Sequence, residues 1–271
     1  MDKVLIIDGH NAMWRAKFAF KPSDKDSEYV MIYSFFRNLR PIIEKFSPSK
    51  VFFVLEGHPQ FRYDIYSEYK ANRIKTASKQ EQNADFHKNK HVIVDLLKLL
   101  PITICKTAHY ECDDLIHTLC LDLKDEEIVV LSNDSDYIQL LQNNYKSISV
   151  YNPVKKVFMQ APEYPYVVWK SLAGDTSDNI PGMVSDKKAD MLCRSPNQLR
   201  EYLSHEETRA NFYINLELIK FRTVPSEEIE FFDSNVNYSK LREEFIRMGF
   251  NTIADDKYWL KYISTFDCIK F

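Results

Sequence analysis

The sequence predicts an α/β fold, a mostly parallel central sheet flanked by helices and followed by a helical subdomain. Two observations carry the prediction. Through the first two-thirds of the chain, short apolar runs rich in β-branched and aromatic residues alternate with stretches of helical periodicity. Beyond about residue 162 only helical patterns with polar connections remain. In order, KVLIID (3–8) reads as a buried strand, 29–46 as a helix, KVFFVL (50–55) as a second strand and 90–100 as a helix. PITIC (101–105) is the third strand, and 113–123 is a helix with aspartates in its first turn, where the helix dipole favours anions. EIVVLS (127–132) and SISVY (147–151) complete the set. Strand, helix, strand at these lengths makes βαβ units and hence parallel pairing.

The second part contains VVWKSLAG, KKADMLC, PNQLREYL, TRANFYINLELIKF and YSKLREEFIRMGF, with no strand-like alternation. The expected division is therefore 1–161, an α/β domain, and 162–271, a helical subdomain. Between the second strand and the next core helix, residues 61–90 hold seven Lys/Arg against four Asp/Glu, and TASKQEQNAD lacks an apolar stripe. This segment reads as an exposed basic insertion.

Composition excludes several classes. With 271 residues, 45% hydrophobic and 28% charged, the chain can bury a real core and is neither disordered nor low-complexity. No apolar run approaches a membrane span, and MDKVLIIDGHN has no long apolar export region, so a reducing cytoplasm and no membrane partner are expected. The five cysteines at 105, 112, 120, 193 and 268 form no CxxC pair, which leaves neither a disulfide framework nor a cysteine-rich zinc site. A net charge of −3 argues mildly against nucleic acid as a whole-molecule average, but averages hide segregation.

Acids recur where apolar runs stop. Asp8 ends the first strand, Glu56 ends the second, and Asp134 and Asp136 follow the fourth. Glu111, Asp113 and Asp114 open the helix after the third strand, and SLAGDTSDNIPG places Asp175 and Asp178 at the start of the helical region. The carboxyl ends of parallel strands form the ligand crevice, so these acids should converge. Any one alone would be a loop residue or helix cap; as a group of anions they would raise one another's pKa until some took up protons, unless cations intervened. Oxygen donors without a Cys or His set select Mg²⁺ or Mn²⁺. Two such ions activate a water and stabilise the leaving oxygen in phosphodiester hydrolysis.

The motifs LIIDGHN with Arg15, FVLEGHPQFR, YSEYKANR, ECDD, LSNDSDY and GDTSDNIPG, in this order, resemble the 5′-nuclease superfamily of flap endonucleases and 5′ to 3′ exonucleases. That family includes free-standing bacteriophage enzymes and the nuclease domain of bacterial DNA polymerase I, and a chain without a polymerase portion looks like the stand-alone type. The resemblance implies a PIN-like 5′-nuclease fold with a helical arch over 61–90 and a helix-hairpin-helix-type subdomain. It implies an inner metal set of Asp8, Glu56, Glu111, Asp113 and Asp134, with Asp114 at a further metal-site position, and a second set of Asp136, Asp175 and Asp178. Lys70 and Arg73 match the arch pair at the scissile phosphate, Arg15 a basic residue near the active site, and Tyr69 its aromatic neighbour.

Physical reasons run alongside. A Lys and an Arg three apart on one helix face can grip phosphate oxygens and stabilise developing charge. Tyr69 offers a face on which an unpaired base stacks, and the basic excess, including Arg62 and Lys75, funnels a single-stranded 5′ end. Three departures stand out. Glu56 replaces the family's usual Asp, and Cys112 its usual small residue. After GDTSDNIPG the chain reads GMVSDKKADML in place of a glycine-rich hairpin whose amides hold a duplex phosphate, often with K⁺. Lys187 and Lys188 are then the candidates to hold duplex phosphate as point charges.

The implied function is a metal-dependent, structure-selective 5′-nuclease acting on branched or nicked DNA for primer or flap removal, by water attack and with RNase H-type action on RNA:DNA hybrids as an extension. A monomer is the default expectation. The runner-up among enzymes is exonucleolytic trimming; from another class, the rival is a catalytically weak junction-DNA-binding paralogue acting as a replication accessory. His87 and His91 are four apart but lack the Glu of a zinc helix, and no GxGxxG or P-loop is present.

Overall fold

Five apolar runs form five parallel strands of one sheet, β1 (Lys3–Asp8), β2 (Lys50–Val54), β3 (Thr103–Lys106), β4 (Glu127–Leu131) and β5 (Ile148–Asn152). The computed structural model describes residues 2–19, 29–73, 77–142 and 147–270, without the side chains of 77–83. Two short antiparallel strands, β6 (Val157–Phe158) and β7 (Glu230–Phe232), extend the sheet to the order β6-β5-β4-β1-β2-β3-β7. Strand β1 is central. The chain builds outward through β2 and β3, then returns to the other side of β1 with β4, and this reversal opens a crevice at the carboxyl ends.

Alternate residues of β1 face two cores. Leu5 and Ile7 pack toward helices α1 (Gly9–Lys17), α2 (Val30–Phe46) and α4 (Ala77–Leu97), which follows α3 (Gln60–Ile65). Val4 and Ile6 pack toward α5 (Cys112–Asp122) and α6 (Ile138–Gln142). Burial on both faces explains why the strands read as continuous apolar runs. Each such side chain contributes about 1.5–3 kcal/mol.

Helices α7 (Tyr166–Ala173), α8 (Asp186–Arg194), α9 (Pro196–Tyr202) and α10 (Glu206–Ile219) gather around their own cluster of Leu172, Leu192 and Phe212. The final helices, α11 (Tyr238–Arg247), α12 (Asn251–Ala254) and α13 (Asp256–Ile263), do not join them. Phe245 and Tyr262 return to the α/β core, where the Tyr262 hydroxyl donates to the Phe36 carbonyl at 3.3 Å and the Phe36 and Phe245 rings lie 5.1 Å apart. Helices α7–α10 thus lie between two stretches of the chain that share one core, and the chain rejoins that core through β7 and α11–α13. The expectation of no strand after residue 162 is corrected: β7 pairs Phe232 with Ile104 at the sheet edge, and three residues are too few to show alternation. Among the described residues no helix is long and apolar enough to cross a membrane.

The basic insertion differs from a solvated helix. It begins as α3, turns at 66–73, and returns through α4, which runs unbroken into the core helix expected at 90–100. Arg62, Tyr69 and Phe86 are buried. Lys75 lies outside the described residues.

Candidate metal centre and nucleic-acid interface

Asp8 ends β1 and caps α1, accepting the Asn11 N–H at 2.9 Å. The turn needs Gly9, because a Cβ there would stand 2.5 Å from the Val54 carbonyl. Asp8 also accepts the Ser132 hydroxyl at 2.9 Å, and the Tyr137 hydroxyl lies 3.4 Å from Asp8 and 2.7 Å from Asp113. Burial raises Asp8 to about 6, partly offset by the Asn11 and Ser132 hydrogen bonds. Burial first, then the neighbouring Asp134, Asp8, Glu56 and Glu111 charges, drives Asp113 well above the ordinary carboxylate range. Glu56 is pushed to about 8 by burial and by Glu111. Asp134 is exposed at the crevice mouth and accepts the Asp136 N–H at 3.0 Å.

Glu111 stands at the start of α5 and receives three groups from the basic insertion. Tyr69 donates at 3.0 Å, the Arg62 guanidinium lies 3.1 Å away, and Lys70 donates to the other oxygen. A second group forms on the hairpin between α7 and α8. Asp175 and Ile180 exchange backbone hydrogen bonds of 2.9 and 2.8 Å, and Gly174 enters this turn at φ 78, a left-handed conformation that favours glycine. Lys170, from α7, donates to Asp136 and lies 2.6 Å from Asp175. Burial alone would raise Asp175, but Lys170 and the Ser177 hydrogen bonds hold it below its ordinary value. Asp178 takes Arg73 at 2.7 Å and Tyr69 at 3.1 Å, with Lys70 at 3.7 Å.

The hairpin is also laced to the insertion through its backbone. The Lys70 N–H donates to Asp178 O at 2.8 Å, and the Asn179 amide donates to Glu68 O at 2.7 Å. Lys70 itself sits at φ 57, uncommon for a residue with a Cβ. Together Lys70, Arg73, Asp113, Asp134, Asp136 and Asp175 border a cleft of 410 Å³.

Five of the nine expected acids, Asp113, Asp134, Asp136, Asp175 and Asp178, border this cleft; Asp8, Glu56 and Glu111 do not line it but stand close enough for their charges to raise Asp113 further than burial alone does. Their donor set is all oxygen, and the raised values of Asp8, Glu56 and Asp113 express anionic repulsion and desolvation that a divalent cation would relieve. In donor chemistry the residues fit such an ion. Their arrangement is not that of a formed site: among the described residues no three His, Cys, Asp or Glu side chains are grouped as a metal site, and Lys70 and Lys170 are paired with the carboxylates instead.

Other expected site residues fall elsewhere. Asp114 is 0% exposed and paired with Arg62, so the pair faces protein, contrary to the expectation of a metal ligand and a DNA contact. Tyr69 is only 2% exposed, and its ring packs edge-on to Tyr63 rather than offering a face for a base. Arg15 lines a small space with Asn38 and Leu39 and does not border the cleft. Lys187 and Lys188 are exposed in the first turn of α8. Sequence reasoning missed Lys170, Ser132 and Tyr137. A lysine within the apolar stretch VVWKSLA was the available signal for Lys170, since such a residue is buried only with partners.

Residues 3–166 match the family described as 5′-3′ exonuclease, N-terminal resolvase-like domain. The chain is 28% identical over 258 residues to the thermostable DNA polymerase I of Thermus filiformis, covering 84% of this chain and 30% of that protein. It thus spans less than a third of that relative's length. A structure of T5 5′-exonuclease with bound zinc ions superposes with a TM-score of 0.66 at 17% identity, covering 80% of this chain and 89% of the other. Human GEN1 in complex with Holliday junction DNA superposes with a TM-score of 0.54 at 16% identity, covering 97% of this chain and 71% of that one. At these identities the likeness establishes a shared fold.

Proposed function

We propose, from a chain that belongs to the 5′-3′ exonuclease family of N-terminal resolvase-like domains, that it is a divalent-metal-dependent, structure-selective 5′-nuclease. It acts on branched or nicked DNA, with RNA:DNA hybrids as an extension, as a monomer in the cytoplasm, where it removes flaps or primers during replication. The observation that carries the reading is a cleft bordered by Asp113, Asp134, Asp136, Asp175 and Asp178 together with Lys70 and Arg73, with Asp8, Glu56 and Glu111 in electrostatic contact with Asp113.

Asp8, Glu56, Glu111, Asp113 and Asp134 would hold an inner Mg²⁺ or Mn²⁺, and Asp136, Asp175 and Asp178 a second. Bound there, the ions supply a nucleophilic water and stabilise the leaving oxygen. The chain's own groups do the rest. Lys70 and Arg73, released from Glu111 and Asp178, bind the non-bridging oxygens of the scissile phosphate and stabilise the charge that develops on them. Ser132 and Tyr137 orient Asp8 and Asp113. Lys187 and Lys188 hold a phosphate of the adjoining duplex. The glycine-poor hairpin gives no support to a K⁺ site.

Cleavage of a 5′-labelled flap duplex, beside nicked and blunt duplexes, tests the reading. Release of a short oligonucleotide at the junction supports flap endonuclease action, whereas mononucleotides alone assign trimming. Tight binding without any product in Mg²⁺ or Mn²⁺ would leave a junction-binding protein.

A further inference from the structure

A carboxylate has about four lone-pair positions, and those of Asp114 are all taken. Oδ1 accepts Arg62 Nη2 at 2.9 Å and the Arg222 N–H at 2.8 Å; Oδ2 accepts Arg62 Nη1 at 2.6 Å and the Glu111 N–H at 3.2 Å. A metal could reach this group only by displacing one of these donors. The same Nη1 of Arg62 lies 3.1 Å from Glu111 Oε2, and Arg62 Nε donates to the Leu218 carbonyl at 3.0 Å. The Arg62 side chain is 3% exposed, and beside it the Phe61 ring lies 4.6 Å from the Arg62 guanidinium and 4.1 Å from that of Arg222. One guanidinium therefore ties α3, at the root of the basic insertion, to the start of α5 and the end of α10.

We propose that Arg62 and Asp114 are a positioning pair for Glu111, touching neither metal nor DNA. Asp114 fixes the Glu111 backbone through its N–H, and Arg62 fixes the direction of its carboxylate. Glu111 carries three side-chain torsions, so a carboxylate held from two sides presents its remaining lone pairs to the crevice at a lower ordering cost. The fork geometry requires arginine: lysine keeps the charge but cannot bridge Asp114, Glu111 and the Leu218 carbonyl together. The inference rests on the metal-dependent reading above.

The test compares Arg62→Lys and Asp114→Asn with wild type and with Glu111→Gln, in the full chain. Three readouts are taken: Mn²⁺ binding by direct titration, thermal unfolding in EDTA, and flap-DNA affinity in EDTA. Both variants should weaken Mn²⁺ binding by about tenfold or more while remaining folded and keeping wild-type flap affinity. Unchanged Mn²⁺ affinity with lower thermal stability, or failure of both variants to fold, would make the pair structural only. Loss of flap affinity in Arg62→Lys would make Arg62 a DNA contact. Loss of metal binding in Asp114→Asn as complete as in Glu111→Gln, with Arg62→Lys unaffected, would make Asp114 a ligand. A wild type that binds no Mn²⁺ would instead overturn the metal-dependent reading itself.

Discussion

Lys170 Nζ lies 2.6 Å from Asp175 Oδ2 while donating to Asp136, so one buried ammonium joins acids that reach the crevice from the β4 side and from the hairpin. It supplies the counter-charge for the same two carboxylates that would hold the second cation. Burial would lower this lysine, but Asp136 and Asp175 hold it above its ordinary value, and it stays charged.

Lys170→Met leaves two largely buried carboxylates without their counter-charge. In EDTA the variant should lose about 3 kcal/mol or more of stability, as when one partner of a buried pair is removed. Mg²⁺ should restore much of the loss. Thermal unfolding with and without Mg²⁺ checks this; equal destabilisation in both would detach Lys170 from the metal centre.

Lys70 makes a different contribution. It contacts Glu111 and Asp178, and in the proposed mechanism its charge would turn to the phosphate once metal and substrate are bound. Lys70→Met should lower single-turnover cleavage by about a hundredfold or more while flap affinity changes far less. A loss in affinity that accounts for the whole effect would make Lys70 a binding residue only.

The raised carboxyls set a pH dependence. Asp8 at about 6 and Glu56 at about 8, against ordinary values of 3.8 and 4.5, mean that the folded metal-free protein keeps protons the unfolded chain has released. The stabilisation from these groups is complete below the unfolded values and is lost as pH rises through 6 and then 8. Between its unfolded and folded values each group costs the fold about 1.4 kcal/mol for every pH unit climbed. A bound cation requires the ionised forms, so the gain in melting temperature from Mg²⁺ should grow with pH. Melting curves in EDTA and in Mg²⁺ across this range decide; a Mg²⁺ gain that shrinks with pH contradicts the assignment.

Lys187 and Lys188 are exposed in the first turn of α8, where the proposal has them hold a duplex phosphate. Replacing each with alanine should weaken duplex binding and reduce the slope of log K against log salt by about one per lysine. An unchanged slope would move duplex contact away from α8.

The parallel strands were legible because burial on both faces writes a continuous β-branched run into each of them. Strands β6 and β7 were not, since two or three edge residues carry no period. Of the candidate metal-binding acids, Asp8, Glu56, Asp134 and Asp136 were legible because they stand where those runs end, Glu111 and Asp113 because they open the next helix, and Asp175 and Asp178 through the GDTSDNIPG motif. Burial of Arg62 and Tyr69 was not: counting charges over 61–90 treats the segment as one solvated unit. Their partners, Asp114, Leu218 and Asp178, come from distant parts of the chain. The return of α11–α13 to the first core was hidden for the same reason, because helical periodicity identifies an apolar face without identifying what it packs against.

Metal-dependent hydrolysis is decided by the single-turnover rate of flap cleavage as a function of free Mg²⁺, for wild type and Asp134→Asn. No cleavage is expected in EDTA, with a saturable rise in Mg²⁺ that the variant loses while flap binding persists. Cleavage that continues undiminished in EDTA, or that Asp134→Asn leaves intact, would contradict the metal-dependent reading.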